Sequence, residues 1–126
     1  MKKIVNTSNA PAPIGPYSQA IIAGGMVYVS GQVAINPATG EIVSENIDKE
    51  TEQVMKNLSA ILAEAGTAFD KMVKCSIFVK NMNDFDRINK VYGNFFPENP
   101  PARETVEVGN LPKFVNVEIS CIATLD

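Results

Sequence analysis

Between Val115 and Leu125 the apolar residues Val115, Val117, Ile119, Cys121, Ala123 and Leu125 fall on alternate positions. Asn116, Glu118, Ser120 and Thr124 lie between them, with Ile122 as the one apolar exception. A period of two marks a β-strand with one buried face, and a buried sheet face needs a second layer to cover it. The chain supplies that layer. From Ile47 to Ala65 the apolar spacing changes to steps of three and four, through Val54, Met55, Leu58, Ile61, Leu62 and Ala65. This predicts a long helix with one apolar stripe, capped at its C-terminus by Gly66.

The remaining segments fit the same plan. Gly24-Gly25 joins Ala20–Ala23 to Met26–Ser30 and supplies the positive φ angles of a tight hairpin. Ile4 and Val5 suit a short edge strand, Ala10–Ser18 is a loop stiffened by three prolines, and Asn36–Gly40 is a turn. Val73, Cys75, Ile77 and Val79 alternate with Lys74, Ser76, Phe78 and Lys80 as a further strand. A second helix is expected from Asn83 or Asp84, with Phe85, Ile88, Val91, Tyr92, Phe95 and Phe96 as its stripe and Pro97, Pro100 and Pro101 ending it. Strands at Ala102–Val108 and Val115–Leu125 complete the chain. The order predicts one α+β domain spanning 1–126, with both helices on one face of a largely antiparallel or mixed sheet. Phe78 and Ile122 interrupt the other face with apolar surface, which predicts self-association through it.

Composition narrows the chemistry. The net charge is −3, and the eleven basic residues form no stripe, which disfavours nucleic acid as a partner. No segment has the roughly 20 apolar residues of a membrane span, and the N-terminus lacks the apolar run of a secretory signal, so a cytoplasmic protein is expected. Cys75 and Cys121 occupy separate apolar strands and read as reduced, buried thiols rather than a disulfide or metal site. Histidine is absent, which removes the usual proton shuttle, the commonest metal ligand and any catalytic triad.

Only two arginines occur, and Arg103 follows Pro100-Pro101 at the head of a strand. A guanidinium is a planar fork suited to gripping a carboxylate in two parallel hydrogen bonds. Arg103 and Thr105 share a face of their strand, and Glu118 lies on the outward face of the last one. Convergence of the three would pair a carboxylate clamp with a group able to activate water, with the hydroxyls of Thr105, Tyr17 or Ser30 holding other polar atoms. An Arg103–Glu118 or Arg103–Glu104 ion pair explains the same spacing. Tyr17 sits in the stiff loop, where it either faces a pocket or covers a core edge. Gly31 permits close approach of a ligand or backbone, or marks a bulge. Asn89 interrupts the second helix beside Ile88 and reads as a boundary residue or a ligand contact.

Taken in order, Ala10-Pro11-Ala12-Pro13-Ile14-Gly15-Pro16-Tyr17-Ser18-Gln19-Ala20, Val29-Ser30-Gly31-Gln32, Phe78–Phe85, Pro101-Ala102-Arg103, Val106-Glu107-Val108, Leu111-Pro112-Lys113 and Val117-Glu118-Ile119 carry a resemblance. Over essentially its whole length the chain resembles the RidA group of the Rid, or YjgF, family of reactive intermediate deaminases. The resemblance implies a chorismate-mutase-like α+β fold, assembled as a homotrimer with a central barrel and clefts between subunits. It implies hydrolysis of enamines and imines such as 2-aminoacrylate and 2-iminopropanoate to 2-oxo acids and ammonia, without cofactor or metal. A trimeric, non-catalytic binding protein for small 2-oxo acids is the alternative, and ribonuclease activity of the kind reported for some relatives is a third reading. It places the carboxylate-binding arginine on Arg103, the loop tyrosine on Tyr17, the cleft glycine on Gly31 and the water-associated glutamate on Glu118, with Ser30 and Asn89 at lesser cleft positions. The cysteine often found two residues after that arginine is Thr105 here. A hydroxyl of that kind cannot replace a thiolate nucleophile, so the implied mechanism is water attack.

Overall fold

The computed structural model describes residues 1–126 as six strands and two helices. Strand β1 (Lys3–Val5) forms one edge, and β2 (Ala20–Ala23) and β3 (Met26–Gln32) form the expected hairpin. Gly24 and Gly25 have φ of 58° and 78°, a conformation side chains with a Cβ rarely adopt, so the hairpin depends on both glycines. Helix α1 spans Ile47–Ala65, as the apolar spacing predicts. Asn46 caps its N-terminus by accepting from the Lys49 amide at 2.8 Å, and Gly66 ends it with φ of 93°.

Strand β4 (Met72–Val79) leads through a 3₁₀ turn at Met82–Asp84 into α2 (Phe85–Gly93), followed by β5 (Ala102–Glu107) and β6 (Val117–Thr124). Helix α2 stops before Phe95 and Phe96, earlier than the apolar stripe suggests. Gly93 is a weak helix former, and Asn94 closes the last turn. Phe96 is nevertheless buried, packing on Tyr92 with ring centroids 4.7 Å apart. The last strand begins two residues later than expected because Pro112–Phe114 makes a 3₁₀ turn in which Lys113 and Phe114 have positive φ.

The sheet order is β1-β2-β3-β6-β4-β5, with β5 parallel to β4 and the other pairings antiparallel. The last strand therefore lies at the centre. Its inward residues Val117, Ile119, Cys121 and Ala123 meet Val54, Met55, Leu58, Ile61 and Leu62 of α1 in one core. Both cysteines are buried and reduced, directly opposite one another on β4 and β6. Burial pushes the Cys75 thiol up to about 11 and the Cys121 thiol up to about 12, so neither is a thiolate at neutral pH. The opposite sheet face leaves Tyr28 and Val106 exposed and Phe78 and Ile122 half-buried. No helix is long and apolar enough to cross a membrane.

Three buried polar residues fasten the loops around β3 and β6. Gln19 accepts from the Thr7 amide and donates to the carbonyls of Thr7 and Pro11. Glu50 accepts from the backbone and side-chain amides of Asn116 at 2.7 and 2.8 Å. Asn57 donates to the carbonyls of Val33 and Ile35, each at 3.0 Å, and accepts from Gln53. Replacing Asn57 by leucine strands the buried Val33 carbonyl and removes the partner of the half-buried Ile35 carbonyl, so urea unfolding is expected to show a loss of about 1–3 kcal/mol.

Candidate functional site

At Gly31 the sheet carries a bulge. Val29 faces Cys121 and Gln32 faces Ile119, so a step of three residues on β3 matches a step of two on β6. The consequence is seen in the Glu118 side chain, which lies across the Gly31 backbone. A Cβ at Gly31 would stand 2.6 Å from Glu118 Oε2 and 2.7 Å from Cδ. The close approach that glycine permits is thus made by the Glu118 carboxylate, and the bulge and the close approach are one feature.

Glu118 and Gly31 line a cavity of about 320 Å³ together with Tyr17 and Ser30, and Pro11, Ile14, Val33, Ile35 and Pro112 supply its apolar wall. Glu118 is its only charged side chain. No cation pairs with that carboxylate, and partial burial holds its pKa above the ordinary value. The Tyr17 hydroxyl accepts from the Ile14 amide at 3.2 Å, leaving its own proton free to donate. Ser30 behaves differently from the hydroxyl ligand considered above. Its proton is committed to the Ser18 carbonyl at 2.6 Å, so Ser30 fixes the loop that carries Tyr17 and offers a ligand only lone pairs.

Arg103 and Thr105 stand elsewhere. Strand β5 runs parallel to β4 with Arg103 opposite Cys75 and Thr105 opposite Ile77, so both side chains share the helix-covered face. Glu118 lies opposite Phe78 on the other face. Arg103, Thr105 and Glu118 therefore do not converge within one chain, because a sheet separates them. Neither ion pair occurs. Glu104 is taken by Lys74 at 2.7 Å and by the Ser76 hydroxyl, and hydrogen bonding to Lys74 first and Ser76 second holds its carboxyl below the usual range. The Arg103 guanidinium lies over the rings of Tyr92 at 5.1 Å and Phe85 at 5.8 Å, with no carboxylate beside it. Asn89 falls between those two aromatics on the same stripe of α2, half-buried. The Thr105 Oγ1 atom is buried without a hydrogen-bond partner.

The chain thus carries two groups of candidate residues. Tyr17, Ser30, Gly31 and Glu118 surround a cavity, and Arg103, Thr105 and Asn89 form a cationic edge with unmet hydrogen-bonding capacity. The fastening residues Gln19, Glu50 and Asn57 escaped sequence reading, although Asn57 carries a signal: it sits three residues after Val54 and next to Leu58, where the helix is buried. Gly31→Ala is expected to displace the Glu118 carboxylate rather than unfold the chain, since the atoms in the way belong to the end of a side chain. The melting temperature should fall by only a few degrees, while any activity that uses Glu118 drops at least tenfold in steady-state kinetics.

Known proteins share this architecture. A Rid-family protein of Yersinia pestis superimposes with a TM-score of 0.96 at 50% identity, covering 98% of this chain and 99% of that one. The chloroplastic Reactive Intermediate Deaminase A of Arabidopsis thaliana is 44% identical over 98% of this chain and 66% of its own length. TdcF of E. coli, solved with bound serine, has a TM-score of 0.93 at 39% identity, covering 97% and 98% of the two chains. The family model described as endoribonuclease L-PSP matches residues 7–125. A match over nearly every residue, joined to the same six-stranded sheet and two helices, establishes that this chain belongs to the Rid family.

Proposed function

We propose that the protein hydrolyses small 2-imino acids and their enamine tautomers, such as 2-iminopropanoate and 2-aminoacrylate, to 2-oxo acids and ammonia. One observation carries this reading: Arg103 is a half-buried guanidinium with no carboxylate of its own chain beside it. A half-buried fork of donors without an acceptor favours an incoming carboxylate. Because the cavity lies on the other face of the sheet, a small substrate meets Arg103 and Glu118 together only if they come from different copies. The proposed assembly is a closed trimer, joined through the face that exposes Tyr28 and Val106, in which one copy offers Arg103, Thr105 and Asn89 to the cavity of the next.

In that cleft Arg103 holds the substrate carboxylate and places the imine carbon beside a water held by Glu118. On the protonated imine, attack forms the carbon–oxygen bond as the C=N π pair moves to nitrogen, and a water proton passes to Glu118, giving a neutral carbinolamine. Glu118 returns that proton to nitrogen, and collapse to the carbonyl breaks the carbon–nitrogen bond, passes the hydroxyl proton back to Glu118 and releases ammonia and the 2-oxo acid. Tyr17 is the nearby hydroxyl with a proton to share. Thr105 offers a hydrogen bond, not a nucleophile. Serine in the E. coli relative carries a carboxylate on a small carbon skeleton, the shape this reading requires. The family model's ribonuclease description is less well supported, since the eleven basic residues form no stripe to track a phosphate backbone and the chain has no histidine.

The test generates 2-iminopropanoate from alanine with an amino-acid oxidase and follows loss of the imine with and without protein. Acceleration above buffer supports the reading, and rates identical to buffer sink it. A carboxylate-binding protein without catalysis would instead bind pyruvate and leave imine decay unchanged. Sedimentation equilibrium should give three times the mass of 13.6 kDa.

A further inference from the structure

Arginines in folded proteins are usually held by carboxylates or carbonyls, whereas Arg103 lies against two aromatic rings. Phe85 and Tyr92 are seven residues apart on α2, two turns along one face, and the guanidinium sits over both. Tyr92 is itself fixed from behind. Its ring packs on Phe96, and Phe96 meets Phe69 edge-on at 5.6 Å. The Tyr92 hydroxyl is buried beside the Cys75 thiol, a weak hydrogen-bond partner, and what Arg103 meets at this position is the ring. The carboxylates near Arg103 in sequence are engaged elsewhere: Glu104 by Lys74 and Ser76, and Glu107 by the Met82 amide.

We propose that Phe85 and Tyr92 are positioning residues, forming an aromatic cradle on α2 that holds the Arg103 guanidinium in place while leaving its donors free. An ion pair would orient the fork equally well, but it would occupy the donors that an incoming anion needs. A ring face attracts the cation through its quadrupole and takes no N–H bond. The cradle also explains why a short helix ending at Gly93 carries two large aromatics toward an edge strand. This inference rests on the assignment of Arg103 as the carboxylate clamp, but its geometry can be tested without that assignment.

With only two arginines, the Nε–H region of the nitrogen–proton NMR spectrum should hold two resonances, and Arg103→Lys identifies one of them. Arg87 is the internal control, since its Nε donates to Asp48 at 3.0 Å. The Arg103 signal is expected upfield, shifted by the ring currents. Phe85 is half-buried, so Phe85→Leu should fold, move that signal toward the free-arginine position and leave Arg87 unmoved. In imine hydrolysis Phe85→Leu should raise KM about 5–10-fold with kcat within twofold, the size expected from one cation–π contact. Phe85→Tyr should restore both, and Tyr92→Phe, which keeps the ring, should leave the Arg103 signal upfield. An Arg103 signal that ignores Phe85→Leu, or one that Tyr92→Phe moves as far as Phe85→Leu does, overturns the cradle. A wild type inactive on imines but with the expected NMR shifts removes the proposed function and leaves the cradle standing.

Discussion

Arg103→Ala is expected to lower kcat/KM for imine hydrolysis by roughly 10²–10³-fold, because a bidentate carboxylate grip comprises two charge-assisted hydrogen bonds, together about 3–4 kcal/mol. The loss should appear mainly as a raised KM where the grip is equally strong in ground and transition states. Stability should change little. Arg103 joins no ion pair, so its removal leaves no partner charge unpaired, and the lost ring contacts account for about 1 kcal/mol. Arg103→Lys separates charge from shape, since an ammonium keeps the attraction but loses the planar fork, and it should fall between wild type and alanine. A variant that unfolds as readily as it loses activity would mark Arg103 as structural, and steady-state kinetics alongside urea unfolding decides between the two.

Glu118→Gln is the second large effect, a fall of roughly 10²–10⁴-fold in kcat, the usual loss when a positioned acid–base group is removed. Its pH dependence sharpens the test. Partial burial raises the Glu118 pKa, so the carboxylate needed to accept a proton forms only above that raised value. The activity of wild type should therefore fall on acidification at a higher pH than an ordinary carboxylate would dictate, and Glu118→Gln should lack that limb. Stability runs the other way. A folded-state pKa above the unfolded one contributes stability at low pH that is lost as pH rises through the folded value, so at neutral pH ionised Glu118 weakens the fold. Glu118→Gln is thus expected to equal or exceed wild type in melting temperature while losing activity. A residue kept for stability would show the reverse.

Both effects bear on how the site is built. Glu118 needs a glycine beneath it and a bulge to bring that glycine close, and Arg103 needs rings rather than acids around it. Neither requirement is visible in the two residues themselves. Phe85 and Tyr92 look like core positions from their spacing, and both partly are, which is why their contact with Arg103 carries no sequence signal.

Much of the architecture was legible in the chain because it follows from neighbours a few residues apart. The stripe of α1, its glycine cap, the Gly24-Gly25 hairpin and the alternation of β4 and β6 each express a local period or a local φ requirement, and each lies where that requirement puts it. Alternation also determined that Arg103 and Thr105 share a face. It did not determine which face of the sheet that is. That depended on β5 lying parallel to β4 at the edge and β6 entering between β3 and β4, pairings between residues far apart in sequence. A period of two leaves the choice of face open, and only the assembled sheet, with the helices covering one side, set Arg103 and Glu118 on opposite surfaces.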